Sequence, residues 1–418
     1  MLSPLLFVLC CLHLPEKPAA QESKLFQAKE AFIAGLDSLE IPEFEYDYRH
    51  YFNSIPGVTA LEQQRHFFLR QRHLLDALNT AVPDAQLLDL KQMKWECAHQ
   101  LARLRLEETW VKSGRNIPSE GLHSLPDHRE WYQYFIRKFT SLSLSPEEIF
   151  SFGTSEVARI KYEIGLINYQ SDTVRYIRDK DALMHAFQQV DSLVRQTLPR
   201  LLEAGSLPEV YAMECPDANP ATPPGAYLNR NSNSYGKDVF QYNFYDHKFP
   251  AGDLEWLYMH EAIPGHHLQS SFRQDDPLQR RLIYPGNFEG WACYVEYFGD
   301  SLGLYNHAES RLGKLNWDLV RSARVVLDAG IHFYGWDQQH ALEYWRQHVP
   351  GHDHIAEREI SRVTNWCGQA LAYKVGADYL FRLSRRWLQA HPDKTLRDFH
   401  TWFLRTGNRP LTILSDQY

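Results

Sequence analysis

Residues 260–267 read HEAIPGHH, and the proline and glycine at the centre restrict the local fold more than any other stretch of the chain. A helical His-Glu-x-x-His places two imidazoles one turn apart on a zinc-binding face, with the glutamate beside them. Here the fifth position is Pro264, and histidines return at His266 and His267. Pro264 has no N–H for the carbonyl of His260, and its ring crowds that turn. Gly265 permits backbone angles closed to other residues. In a straight helix His267 would lie two turns beyond His260, about 10.5 Å along the axis, a poor spacing for sharing one ion. A bulge or break at Pro264-Gly265 is therefore expected to carry a later histidine back toward His260. The plainer alternative is that Pro-Gly ends a helix and the histidines decorate a turn.

A zinc site that hydrolyses needs three protein ligands converging to about 2.0–2.2 Å, with one position left for water. The stretch NFEGWACYVEYFGD, residues 287–300, offers the third ligand. Glu289 and Glu296 stand seven apart in it, among Trp291, Tyr294 and Phe298. An acid embedded in so many aromatics is costly to bury unless something pairs with it.

Around these motifs the periodicity is helical. Val157, Ile160, Ile164 and Ile167 recur at spacings of three and four, as do Leu183, Phe187, Val190 and Val194, which reads as core faces. Thr154 or Ser155 is a candidate cap for the first stripe, and SPEE at 145–148 another helix start. Residues 206–250 change texture, with Pro, Asn and Ser between the extended-looking runs GAYLN and VFQYNF. The expected fold is mainly α, a large multi-helical domain with a small β-strand element before the motif helix. After an expected signal peptide at 1–20, a helical half at 21–205 and a catalytic half at 206–418 would form one compact domain.

Net charge is −8 with no basic block, so neither nucleic acid nor an anionic membrane is an expected partner. The apolar run from Leu5 to Leu14, followed by Ala19 and Ala20, resembles a secretory leader without a basic start, pointing to a periplasmic or secreted location. No later run is long enough for stable membrane insertion. Cys97, Cys215, Cys293 and Cys367 are scattered without CxxC, so a cysteine metal site is not expected and any disulfides cannot be paired from sequence.

Taken in order, HEAIPGHHLQ, EGWACYVE, RSARVVLDAGIHFYGW, GQALAYKVG and LRDFHTWFLRTGNRPLTIL resemble an uncharacterised bacterial family regarded as zinc peptidases of the gluzincin type. More remotely the chain is similar to angiotensin-converting enzyme, the oligopeptidases and the thermostable carboxypeptidases, which implies a helical fold with a deep cleft. This chain is shorter than typical family members, mainly before the zinc motif. The resemblance implies Zn2+ held by His260, His266 and Glu289, the last 23 residues after His266, with His267 as the alternate ligand. It implies Glu261 as general base, and His332 or Tyr373 as donors to the developing oxyanion. Arg321 and Arg324 are candidates for gripping a substrate carboxylate, or for pairing with buried acids. The expected activity is cleavage of a peptide or small amide. A zinc hydrolase of non-peptide esters or amides and a non-catalytic metal-binding protein are the alternatives.

Overall fold

A computed structural model describes residues 18–41, 44–78, 84–168, 174–220, 222–231, 233–272 and 276–415. Residues 1–17 of the expected leader lie outside that range. The protein is mostly helical with a few short strands. The apolar stripes explain why: Val157, Ile160, Leu183, Phe187 and Val194 are buried, and their helices dock through these faces. Helix Pro146–Gly165 starts at a capping box in which Ser145 and Glu148 satisfy each other's backbone, with Pro146 in the first turn. Thr154, expected as a separate start, lies mid-helix, its hydroxyl donating to the Phe150 carbonyl at 2.9 Å.

The larger core cluster draws on both sides of residue 205, joining Trp131, Phe135 and Val157 to Trp291, Trp345 and Leu380. A second cluster around Phe32, Phe68 and Met93 is closed by Leu278 and Tyr284. GAYL and VFQY are strands as read, Gly225–Leu228 and Val239–Tyr242, paired antiparallel with Tyr227 opposite Phe240. The sequence reading missed Tyr211–Glu214, which adds parallel to the other side of Val239–Tyr242 and leaves Gly225–Leu228 at the sheet edge. Cys97, Cys215, Cys293 and Cys367 are free thiols. No helix among the described residues is long and apolar enough to cross a membrane.

One contact governs where the second motif sits. Helix Pro285–Glu296, which carries Glu289 and Glu296, packs against helix Leu371–Ala390 with almost no side chain between them. A Cβ on Gly290 would stand 2.8 Å from the Gly376 backbone, and one on Gly376 would stand 2.8 Å from the Gly290 Cα and 2.5 Å from the Gly286 carbonyl oxygen. Helix propensity alone would make alanine at 290 or 376 stabilising by up to about 1 kcal/mol. Overpacking reverses the sign: Gly290→Ala and Gly376→Ala are each expected to cost about 1–3 kcal/mol. Denaturant unfolding midpoints check this, and an unchanged or raised midpoint would show that the helices separate freely.

Candidate metal centre

The motif segment is broken, not merely bent. Helix Leu254–Glu261 ends at Ala262, whose backbone angles of −106° and −106° belong to neither helix nor strand, and a new helix, His266–Ser271, begins three residues after Ile263. Gly265 is required by proximity: a Cβ there would fall onto the carbonyl oxygens of Met259 and His260. Two bonds tie the break to the second motif. Trp291 donates its indole N–H to the Pro264 carbonyl at 2.9 Å, and the Gln269 amide reaches the Asn287 side chain at 3.1 Å.

The break brings His266 to His260. Their ring centroids lie 4.8 Å apart, nearly perpendicular. Glu289 Oε2 lies 3.3 Å from His266 Nε2 and 3.7 Å from His260 Nε2, and its side chain is about a fifth exposed to the cleft. Ligands spaced 2.0–2.2 Å from a tetrahedral ion stand about 3.3–3.6 Å from one another, and the two Glu289 contacts lie at and just beyond that range. Two ligand groups sharing His260 occur among the described residues: His260–Glu261–His266 and His260–Cys293–Glu296. The approach of Glu289 to both Nε2 atoms favours the cleft side over the interior one.

The interior side is occupied by a different arrangement. His260 Nδ1 hydrogen-bonds Glu296 Oε1 at 2.7 Å, and Arg321 donates to Glu296 Oε2 at 2.7 Å, all of it buried. A carboxylate behind a histidine fixes its tautomer and raises its basicity as a ligand. Burial alone would lower the His260 pKa, but hydrogen bonds to Cys293, Glu289 and Glu296 outweigh it and hold it well above the usual range. Burial would likewise raise Glu296, yet Arg321 and His260 hold it below. For Glu289, the neighbouring imidazoles overcome burial and keep the carboxylate ionised. Glu296 was visible in the sequence only as an acid among aromatics; its role behind His260 needs the fold.

Glu261 is fixed by the sheet edge, its Oε2 accepting from the Tyr227 N–H at 2.8 Å. Tyr373 stacks parallel to His260 with centroids 6.4 Å apart, and its hydroxyl accepts from Arg362 at 2.9 Å and Gln369 at 3.3 Å. Burial, followed by the Glu289 charge, raises its pKa and keeps the hydrogen on oxygen. These side chains line a cleft of about 640 Å³.

Other residues go elsewhere. His267 turns from the trio toward Tyr227, its Nε2 3.9 Å from Asp238, because it follows His266 on the restarted helix and points off another face. Arg321 and Arg324 border the cleft but are bonded to buried Glu296 and Glu359, at 2.7 and 2.6 Å. His332 is not in the cleft. It is fully buried between Tyr48 and Tyr132, receiving the Leu122 N–H at Nδ1 and bonding the Val363 carbonyl through Nε2, so it has no nitrogen left for a substrate.

A mainly helical protein with a broken His-Glu helix facing a glutamate on a second helix is the class these features define. The chain belongs to the family described as bacterial protein of unknown function (DUF885), whose model matches residues 91–417. It is similar to a "putative lipoprotein" of Colwellia psychrerythraea, with 23% identity over 88% of this chain and 70% of that one and a TM-score of 0.64. A putative lipoprotein of unknown function from Shewanella oneidensis is similar at 16% identity, over 97% and 79% of the two chains, TM-score 0.61. The M32 carboxypeptidase of Deinococcus radiodurans R1 aligns at 11% identity over 97% and 78%, with a TM-score of 0.45. No curated protein matches.

The buried His332 has a consequence for stability. Burial first, opposed by the Val363 carbonyl, lowers its pKa from 6.5 to about 4. Between those values the unfolded chain binds a proton that the folded one refuses, so stability present above the higher value is lost as pH falls toward the lower. His400, bonded to the Leu201 carbonyl and lowered to about 4, adds to the same loss. His332→Gln is expected to flatten this fall in urea unfolding across that window. Parallel curves for variant and wild type would contradict it.

Proposed function

We propose that this protein is a zinc-dependent hydrolase, most specifically a metallopeptidase that cleaves a peptide or small amide bond. The observation that carries the reading is the convergence of His260 Nε2, His266 Nε2 and Glu289 Oε2 at spacings of 3.3 and 3.7 Å, with Glu296 bonded behind His260. A bound zinc ion would acidify water and polarise a carbonyl there. A site serving structure alone has no use for Glu261 beside it.

The remaining chemistry belongs to the chain. Glu261 keeps Oε2 on the Tyr227 amide and takes the proton of the attacking water on Oε1, then returns it to the leaving amine. The Tyr373 hydroxyl, already accepting two hydrogen bonds, has its own hydrogen to give to the oxygen that gains charge as the carbonyl is attacked. The strand Gly225–Leu228 is an edge strand among the described residues and contributes Gly225 and Ala226 to the cleft, so an extended peptide can add to the part of this edge that Glu261 does not hold at the Tyr227 amide. The apolar stretch from Leu5 to Leu14, and the description of two structural neighbours as lipoproteins, support a periplasmic or secreted setting.

Metal analysis tests the ligands and hydrolysis of a peptide library tests the base. Wild type should hold one zinc per chain, and Glu289→Ala should lose most of it. Glu261→Gln should keep its zinc while hydrolysis falls by about a thousandfold or more. Full zinc in Glu289→Ala would remove the third ligand, and undiminished hydrolysis in Glu261→Gln would remove the base. Glu296→Gln should weaken zinc about 10–100-fold, measured by chelator competition. Unaltered affinity would mean that the carboxylate behind His260 does not tune the site.

A further inference from the structure

The charges on the cleft wall are equal in number but not all paired. Four guanidiniums line it, Arg321, Arg324, Arg358 and Arg362, with four carboxylates, Asp47, Glu261, Glu289 and Glu359. Nearly all are already engaged. Arg321 is bonded to Glu296, and Glu359 is shared between Arg324 and Arg358, at 2.6 and 2.5 Å. Asp47 caps a helix, accepting from the Arg49 and His50 amides at 2.8 and 3.2 Å. Glu289 faces the histidines and Glu261 the Tyr227 amide.

Arg362 is the exception among the described residues. It forms no ion pair; its Nη2 donates only to the uncharged Gln369 Oε1 and Tyr373 hydroxyl, both at 2.9 Å, and its buried Nε has no acceptor. The rings of Trp366 and Tyr373 lie 5.3 and 5.6 Å from the guanidinium carbon and hold the group in place. With both Nη2 hydrogens given to Gln369 and Tyr373 and Nε buried, the Nη1 donors are what a carboxylate would meet, through a charge-assisted hydrogen bond. One tyrosine separates the guanidinium from the metal group, since Tyr373 touches Arg362 through its hydroxyl and stacks on His260 at 6.4 Å. The path from His260 through the tyrosine to Nη2 is roughly 12 Å, about three to four residues of extended chain.

Resting on the hydrolase reading, we propose that Arg362 binds a substrate carboxylate, and that the substrates are peptides or N-acyl amino acids carrying a carboxylate within about three to four residues of the scissile amide. Arg321 and Arg324, the arginines expected from sequence to do this, are already bonded to protein acids. The same chemistry arises from a free C-terminus or from an Asp or Glu side chain. A role confined to positioning Tyr373 would slow all substrates alike.

The test compares acetyl-tetra-alanine as free acid and as C-terminal amide, together with amides carrying one internal Glu or Gln. Wild type should favour a carboxylate-bearing member by about tenfold or more in kcat/KM. Preference for the free acid identifies the terminus, and preference for Glu over Gln the side chain. Arg362→Gln should abolish the ratio while lowering both members of the pair, and Arg362→Lys should restore part of it. A ratio near one in wild type, or one preserved in Arg362→Gln, would overturn the proposal. Calorimetric binding of the acid and amide peptides to Glu261→Gln and to Glu261→Gln/Arg362→Gln separates the two readings. Acid-selective binding lost with Arg362 but no turnover in wild type would sink the hydrolase reading alone, whereas turnover without acid selectivity would sink only the carboxylate site.

Discussion

An indole hydrogen bond pins the two halves of the candidate site together at the break in the histidine helix. Trp291, from the helix bearing Glu289, holds the Pro264 carbonyl at the point where the histidine helix is interrupted. On one side of the break, the lack of a side chain at Gly265 lets the backbone fold back onto the Met259 and His260 carbonyls. On the other, Glu289 is carried within reach of both Nε2 atoms. The irregular backbone is therefore braced by the same element that delivers the carboxylate. This explains why HEAIPGHH and EGWACYVE behave as one unit although they lie some 20 residues apart.

The two nitrogens of His260 divide polar chemistry between two environments. Nδ1 belongs to a dry ion-pair network with Glu296 and Arg321, where each charge has a partner and removing one would leave the other stranded. Nε2 faces the cleft, where Glu261, Glu289 and Tyr373 have capacity left over. The interior network has little freedom to reorganise. It is a rigid backing that sets the ring plane of His260, and through ring stacking the position of Tyr373, before anything enters the cleft.

Much of this was legible in residue order and much was not. The apolar stripes and the SPEE cap translate directly into buried helix faces, because spacing and capping are local. Pro264-Gly265 announced a distortion, but its form, two helices instead of one bulged helix, depends on the Trp291 bond across 27 residues. His266 and His267 could not be separated without knowing how the second helix restarts. His332 was expected as an oxyanion donor from the resemblance, yet what surrounds it is Tyr48, Tyr132 and backbone from Leu122 and Val363, contributed by distant segments. Arg321 and Arg324 were legible as paired cations; which acids they meet, and that Arg362 forms no direct ion pair with any described acid, are properties of packing.

The glycine contact between helices Pro285–Glu296 and Leu371–Ala390 bears on how such a protein could be engineered or could adapt to heat. Replacing helical glycines by alanine is a standard route to thermostability, since it removes disorder from the unfolded chain. At positions 290 and 376 that recipe would wedge apart the two helices that carry Glu289 and Tyr373. Gains in melting temperature would have to be sought on solvent-facing turns instead, and the floppiest residues in the chain's unfolded state stand as a close-fitting joint in its folded one.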